Sequence, residues 1–183
     1  MTVALYSEKG GVGKTSLSYS LHKDLGLRYV TNDMCESALK SNNSKFYTKT
    51  IPFSDNVLYD FGGFESKEAY KICSMVDLVI VPTICEMNSL FKALMTIKKI
   101  KAKKVLVIVT MIDKEEEFNQ VKMVINKHFP GVDLLPFRRN KLLKKVMEEK
   151  MSVFEFIKKS TKRHLYKNIT QEYMNIIQYI KSV

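Results

Sequence analysis

Glu8-Lys9-Gly10-Gly11-Val12-Gly13-Lys14-Thr15-Ser16 lies between an apolar β-branched run, Val3 to Tyr6, and a stretch with Leu17, Leu21 and Leu25 at helical spacing. Strand, glycine-rich bend and helix in that order make a cradle for phosphate. Glycines let the backbone curl so that successive N–H groups converge on one anion, and the helix adds the positive end of its dipole. Lys14 is placed to neutralise β and γ oxygens and Thr15 to ligate Mg²⁺. The stretch from Gly10 through Gly11, Val12, Gly13, Lys14 and Thr15 to Ser16 is therefore read as a nucleoside triphosphate site. A standard loop carries glycine at its first position, where this chain has Glu8, and Lys9 adds a second cation.

Outward from the loop, Arg28 to Thr31, Val57 to Tyr59, Asp77 to Val81 and Val105 to Thr110 read as further strands. Segments at helical spacing, such as Leu90, Leu94 and Ile97, lie between most of them. The runs near positions 79 and 107 are apolar at consecutive positions, which suits strands covered on both faces. The expected fold is α/β, a doubly wound and mostly parallel sheet flanked by helices. Residues 34 to 56 are polar and aperiodic, with a small strand placed near Phe46 to Ile51. The last forty residues read as helices only. At 183 residues the chain suits one domain, 1–183, with a mostly helical portion over 138–183.

Composition narrows the rest. Apolar residues make up 45% of the chain, too many for a disordered one. Runs such as Val76 to Val81 and Val105 to Met111 fall far short of the roughly 20 residues of a membrane-spanning helix. The N-terminus lacks the pattern of a secretory signal, so a cytoplasmic location is expected. Cys35, Cys73 and Cys85 have no C-x-x-C spacing and are expected as buried apolar residues rather than as disulfide partners or zinc ligands. The net charge is +11, and 26 of the 30 cations are lysine, as coding bias alone can produce. Its distribution is more telling. Residues 138 to 167 hold 11 Lys or Arg against three acids, a net +8, and include three of the four arginines. That concentration favours a nucleic-acid surface over a merely solvated face. Lys98, Lys99, Lys101, Lys103 and Lys104 form a second cluster, read as solvated groups complementing a helix end.

The variant loop, Lys9-Gly10-Gly11-Val12-Gly13-Lys14-Thr15, resembles that of the ParA/MinD family of deviant Walker-type ATPases. Tyr59-Asp60-Phe61-Gly62-Gly63 looks like the family's acidic strand end, Val76 to Thr83 like its A-D-x-v-i-v-P strand, and Thr110-Met111-Ile112-Asp113 like the end of its next core strand. Leu135-Pro136-Phe137-Arg138, followed by Val146 and Glu149 to Glu155, is similar to the base-binding loop and next helix of small ParF-type plasmid-partition ATPases. The matches span roughly residues 1 to 160 in order. The resemblance implies ATP and Mg²⁺ as cofactors. Lys14 would contact the β and γ phosphates, and Thr15 and Asp60 would serve the metal. Lys9 would cross to the partner's nucleotide in an ATP-bound homodimer, and Gly62 or Gly63 would sense the γ-phosphate. Adenine would lie near Met111 and Pro136, Phe137 and Arg138. The family's D-x-D-P-Q is absent here, since Thr31 stands where its first Asp would be; Asp33 is the candidate to orient water, with an N-cap or Asx turn as its competing reading. Thr110-Met111-Ile112-Asp113 also lacks the N-K-x-D that recognises guanine.

Within that family, DNA partition fits the charge best. Arg138, Arg139, Lys141, Lys144, Lys145, Lys158, Lys159, Lys162 and Arg163 are the candidates to bind nonspecific DNA, with release by hydrolysis that a centromere-binding adaptor protein stimulates. A nucleoid-associated location follows from that reading. No integral membrane contact is expected: Leu165, Ile169, Tyr173, Ile176, Ile177 and Ile180 read as the packed face of a closing helix, because the opposite face lacks a basic stripe. An ATPase positioning a protein cargo or acting at a membrane, and a small-molecule kinase, are the alternatives. Iron–sulfur electron donation is disfavoured by the placement of Cys73 and Cys85.

Overall fold

The computed structural model describes residues 1–32, 44–46, 51–63 and 65–183. The described strands are β1 (Thr2–Leu5), β2 (Arg28–Thr31), β3 (Ser44–Phe46), β4 (Val57–Asp60), β5 (Leu78–Thr83), β6 (Val105–Ile112) and β7 (Asp133–Arg138). They form one sheet in the order β3-β2-β4-β1-β5-β6-β7, with every pairing parallel. Seven α-helices are described: α1 (Lys14–Leu25), α2 (Lys67–Cys73), α3 (Met87–Lys99), α4 (Glu115–His128), α5 (Leu142–Glu148), α6 (Val153–Lys159) and α7 (Lys167–Lys181), with a 3₁₀ turn at Arg163–Tyr166. None of them is long and apolar enough to cross a membrane.

Strand alternation divides the core into two layers. Val3, Leu5, Leu106 and Ile108 pack with α1, α5, α6 and α7, while Ala4, Tyr6, Val107 and Val109 pack with α2, α3 and α4. Central strands are thus apolar at successive positions because each face has its own helices. Ile169, Tyr173, Ile176, Ile177 and Ile180 of α7 are buried, as a closing helix requires, whereas Leu165 in the 3₁₀ turn is exposed.

Two helix starts show how local chemistry fixes the elements. Gly13, at φ 80°, is the N-cap of α1, and that left-handed backbone favours glycine. Ser152 begins α6 with a reciprocal cap: its hydroxyl accepts the Glu155 N–H at 3.1 Å, and the Glu155 carboxylate accepts the Ser152 N–H at 2.8 Å.

The sequence reading needs three corrections. Residues 133–138 form strand β7 rather than a loop; Pro136 is tolerated because β7 is the edge of the sheet. β6 runs two residues further than expected, through an irregularity where Met111 adopts φ 57°. The small strand lies at Ser44–Phe46 and meets its expected range only at Phe46, residues 47–50 being outside the described residues.

Candidate nucleotide site

The glycine-rich bend joins β1 to α1 at the carboxyl ends of the strands. Gly11 and Gly13 both take positive φ, 78° and 80°, which turns the chain back onto the first turn of α1. Thr110, at the end of β6, is buried, and its hydroxyl lies 3.0 Å from the Val12 carbonyl and 3.1 Å from that of Thr83. The bend is thereby tied to β5 and β6. Lys14 is buried, its ammonium 3.0 Å from the Lys9 carbonyl, so the cation lies inside the curl of the loop. Thr15 and Ser16 follow in the first turn and are partly exposed.

The end of β4 closes on the same loop. A Cβ at Gly63 would lie 3.0 Å from the Gly10 nitrogen and 3.3 Å from the Lys14 ammonium, so a side chain here would press the loop backbone and glycine gives the close approach without that crowding. Gly62 is buried and donates its N–H to the Asn32 side-chain oxygen at 2.8 Å. Asp60 is buried too, and its carboxylate accepts the Tyr29 hydroxyl at 2.5 Å. Burial and then the Asp60 charge push the Tyr29 phenol well above its ordinary range, so it stays a neutral donor. Tyr29 also lies 3.4 Å from Ser18, one turn along α1 from Thr15. The cradle, its buried lysine and the glycine contact fit a Mg²⁺-bound triphosphate. Among the described residues, Thr15 and Asp60 are oxygen donors that would serve the metal.

Beside the loop opens a pocket of about 190 Å³ lined by Gly13, Leu17, Met111, Phe137 and Asn140, with Arg138, Arg139 and Lys144 on its walls. Met111, Phe137 and Arg138 come together as expected. Pro136 does not join them: it lines a neighbouring pocket with Phe118 and Glu172, because alternation along β7 turns it to the other face from Phe137. Left-handed φ in a non-glycine residue is strained, and Met111 carries it where the pocket needs its side chain beside Gly13.

Lys9 lines an open cleft with Gly10, Gly11, Ile84, Cys85 and Glu86. Next to that cleft, Met87 and Phe91 on α3 are exposed, at 86% and 61%. Cys73 is buried, and burial pushes its thiol up to about 12; Cys85 is only partly buried, and Cys35 lies outside the described residues.

Glu8 has a role the sequence reading missed. Its carboxylate accepts the Tyr70 hydroxyl and the Lys99 ammonium, the latter at 3.1 Å, and its carbonyl accepts the Lys92 ammonium at 3.3 Å. Burial works to raise Glu8, but Tyr70 and Lys99 outweigh it and hold the carboxyl below its usual range. Lys99 is raised by its bonds to Glu8 and Glu65. It is therefore more than a solvated helix end. Asn32 and Tyr29 were missed as well.

All nine candidate DNA residues are exposed. Several are already partnered. Arg138 bonds Glu172 through its side chain at 2.7 Å and its N–H at 2.9 Å, and Arg139 bonds both Asp113 oxygens at 3.0 Å. Arg163 caps the end of α6 through the Ser160 and Lys158 carbonyls, Lys145 reaches the Tyr166 hydroxyl, and Lys144 pairs loosely with Glu148. Lys158, Lys159 and Lys162 project from α6 and the turn after it. Asp33 lies outside the described residues.

Residues 3–164 match the profile of the CobQ/CobB/MinD/ParA nucleotide binding domain. No curated protein matches the sequence. Among solved structures, MinD from Pyrococcus horikoshii, complexed with Mg-ADP, aligns with a TM-score of 0.67 at 13% identity, covering 98% of this chain and 96% of that one. A McdA–ATP complex from Cyanothece aligns at 0.66 and 11% identity over the same shares, 98% and 96%. A plasmid partition protein from Borrelia burgdorferi bound to AMPPNP aligns at 0.60 and 14% identity, covering 100% and 99%. At such identities these likenesses speak for the fold.

Proposed function

The chain belongs to the CobQ/CobB/MinD/ParA nucleotide-binding family, whose members of the ParA/MinD branch are ATPases, and from that premise we propose that it is a DNA-partition ATPase acting as one unit over residues 1–183. It binds ATP with Mg²⁺ on the loop from Gly10 to Ser16, dimerises in that state, holds nonspecific DNA, and lets go on hydrolysis stimulated by a centromere-bound adaptor. The bound metal would supply charge neutralisation between the phosphates. Within this chain, Lys14 holds the phosphate oxygens, the Gly62–Gly63 segment closes over the terminal one, and the Tyr29 hydroxyl, donating to the Asp60 carboxylate, holds it in place. Asp33 orients water. Two copies meet through the cleft that contains Lys9, with Met87 and Phe91 beside it as the apolar part of the contact.

One observation supports DNA as the cargo-side ligand. Arg138, Arg139 and Lys144 line the nucleotide-side pocket and also begin the basic run. A single segment thus serves as pocket wall and as surface, a direct route by which a nucleotide can alter affinity for phosphate backbone. A membrane-bound role is less well supported, since Ile169, Tyr173, Ile176, Ile177 and Ile180 of α7 are buried in the core.

Retention on nonspecific duplex DNA tests the proposal. Binding is expected with ATP and Mg²⁺, to weaken steeply with salt, and to vanish with ADP. Equal retention with ATP, ADP and no nucleotide would overturn it. Turnover proportional to an added small acceptor, without DNA binding, would favour a kinase instead.

A further inference from the structure

The carboxylate that opens the phosphate loop anchors a bridge to the segment closing over it. Lys99, at the last turn of α3, places its ammonium 3.1 Å from Glu8 and 3.1 Å from Glu65. Glu65 lies two residues beyond Gly63, the residue whose backbone abuts Gly10 and the Lys14 ammonium. Tyr70 of α2 donates to the same Glu8 carboxylate, and Lys99 lies 5.9 Å from the centre of its ring. The Glu8 side chain is only 14% exposed, so the centre of the bridge is screened from water on the loop side. Lys92, about two turns nearer the start of α3, holds the Glu8 carbonyl.

Glycine at position 8 would give the loop no such handle. We propose that Lys99 is a positioning residue which, through Glu8 and Glu65, couples the first bend of the phosphate loop to the Gly62–Gly63 segment and so makes the site favour a triphosphate over a diphosphate. The inference rests on the reading that ATP seats on this loop. A diphosphate needs the loop alone, which Thr110 and Gly13 fix without help from Lys99. A terminal phosphate must also meet the segment ending β4, and the lysine bridge holds that segment in register with the loop. Selectivity is then a coupling free energy between two pieces of backbone, of the size that one charged bridge can carry.

Equilibrium titration with a fluorescent non-hydrolysable ATP analogue and with fluorescent ADP tests this on the full chain, for wild type, Lys99→Met, Lys99→Arg and Glu65→Gln. Lys99→Met is expected to weaken the triphosphate analogue by about five- to tenfold and ADP by less than about twofold. Glu65→Gln should move the ratio in the same direction, and Lys99→Arg should restore it. The melting temperature should shift by no more than about 3 °C, because the lysine is partly exposed. Equal weakening of both nucleotides, or no change in either, would overturn the proposal while leaving ATP binding intact. A wild-type chain that binds neither nucleotide would overturn the reading beneath it as well.

Discussion

The phosphate loop and the basic face of residues 138–167 carry their cations in opposite ways. Lys14 is buried inside a bend whose backbone is fixed by Thr110, by Gly63 and by two glycines with positive φ. Lys158, Lys159 and Lys162 stand exposed on a short helix and the turn beyond it. The first arrangement is specific because geometry leaves one place for the charge. The second is tolerant, since exposed charges joined to flexible stems suit a partner recognised by phosphate spacing rather than by shape.

That contrast breaks most directly at Lys14. Lys14→Ala should cost about 4 kcal/mol of ATP affinity, roughly a thousandfold, read by titration calorimetry, because a buried charged contact is removed. A loss below about tenfold would mean that the loop does not depend on its enclosed cation. His22, on the buried side of α1, offers the next largest effect. Burial depresses it to about 4, and its Nδ1 lies 3.2 Å from the Leu27 carbonyl. The unfolded chain therefore takes up the proton first. Stability from this group is whole above about pH 6.5 and falls as pH drops toward 4, by about 3 kcal/mol in full. In denaturant melts across that window His22→Gln should lack this part of the wild-type pH slope; equal slopes in the two chains would show that His22 is not the cause. The smallest effect belongs to the exposed face. Lys158→Glu with Lys159→Glu and Lys162→Glu should lower DNA affinity at least tenfold and flatten the salt dependence by about three charges, with ATP affinity unchanged. An altered ATP affinity would show that the two regions are less separate than their burial indicates.

Much of the fold was legible because its signals are local. A strand, a glycine bend and a leucine-spaced helix occupy the first 25 residues in order, and the consecutive apolar runs at β5 and β6 announce two covered faces. The site was legible where one residue's chemistry suffices, as for Lys14, Thr15 and Asp60. Glu8 could only be noted as a departure, since Tyr70, Lys92 and Lys99 meet it from 62, 84 and 91 positions away. The carboxylates opposite Arg138 and Arg139 were hidden in the same manner. β7 was missed because proline argues against a strand unless its place at the sheet margin is known. Asn32 carried no signal at all, because an amide facing a glycine N–H has no characteristic spacing.

The outer margin of β7 has a last implication. Pro136 brings no N–H there, and the N–H of Arg138, two residues on, is already engaged by Glu172. A foreign strand laid along this hem would find two of its donors missing or spoken for, which disfavours stitching the sheet onward from that side. In any assembly of these molecules, this rim of the sheet would be a seam that stays shut.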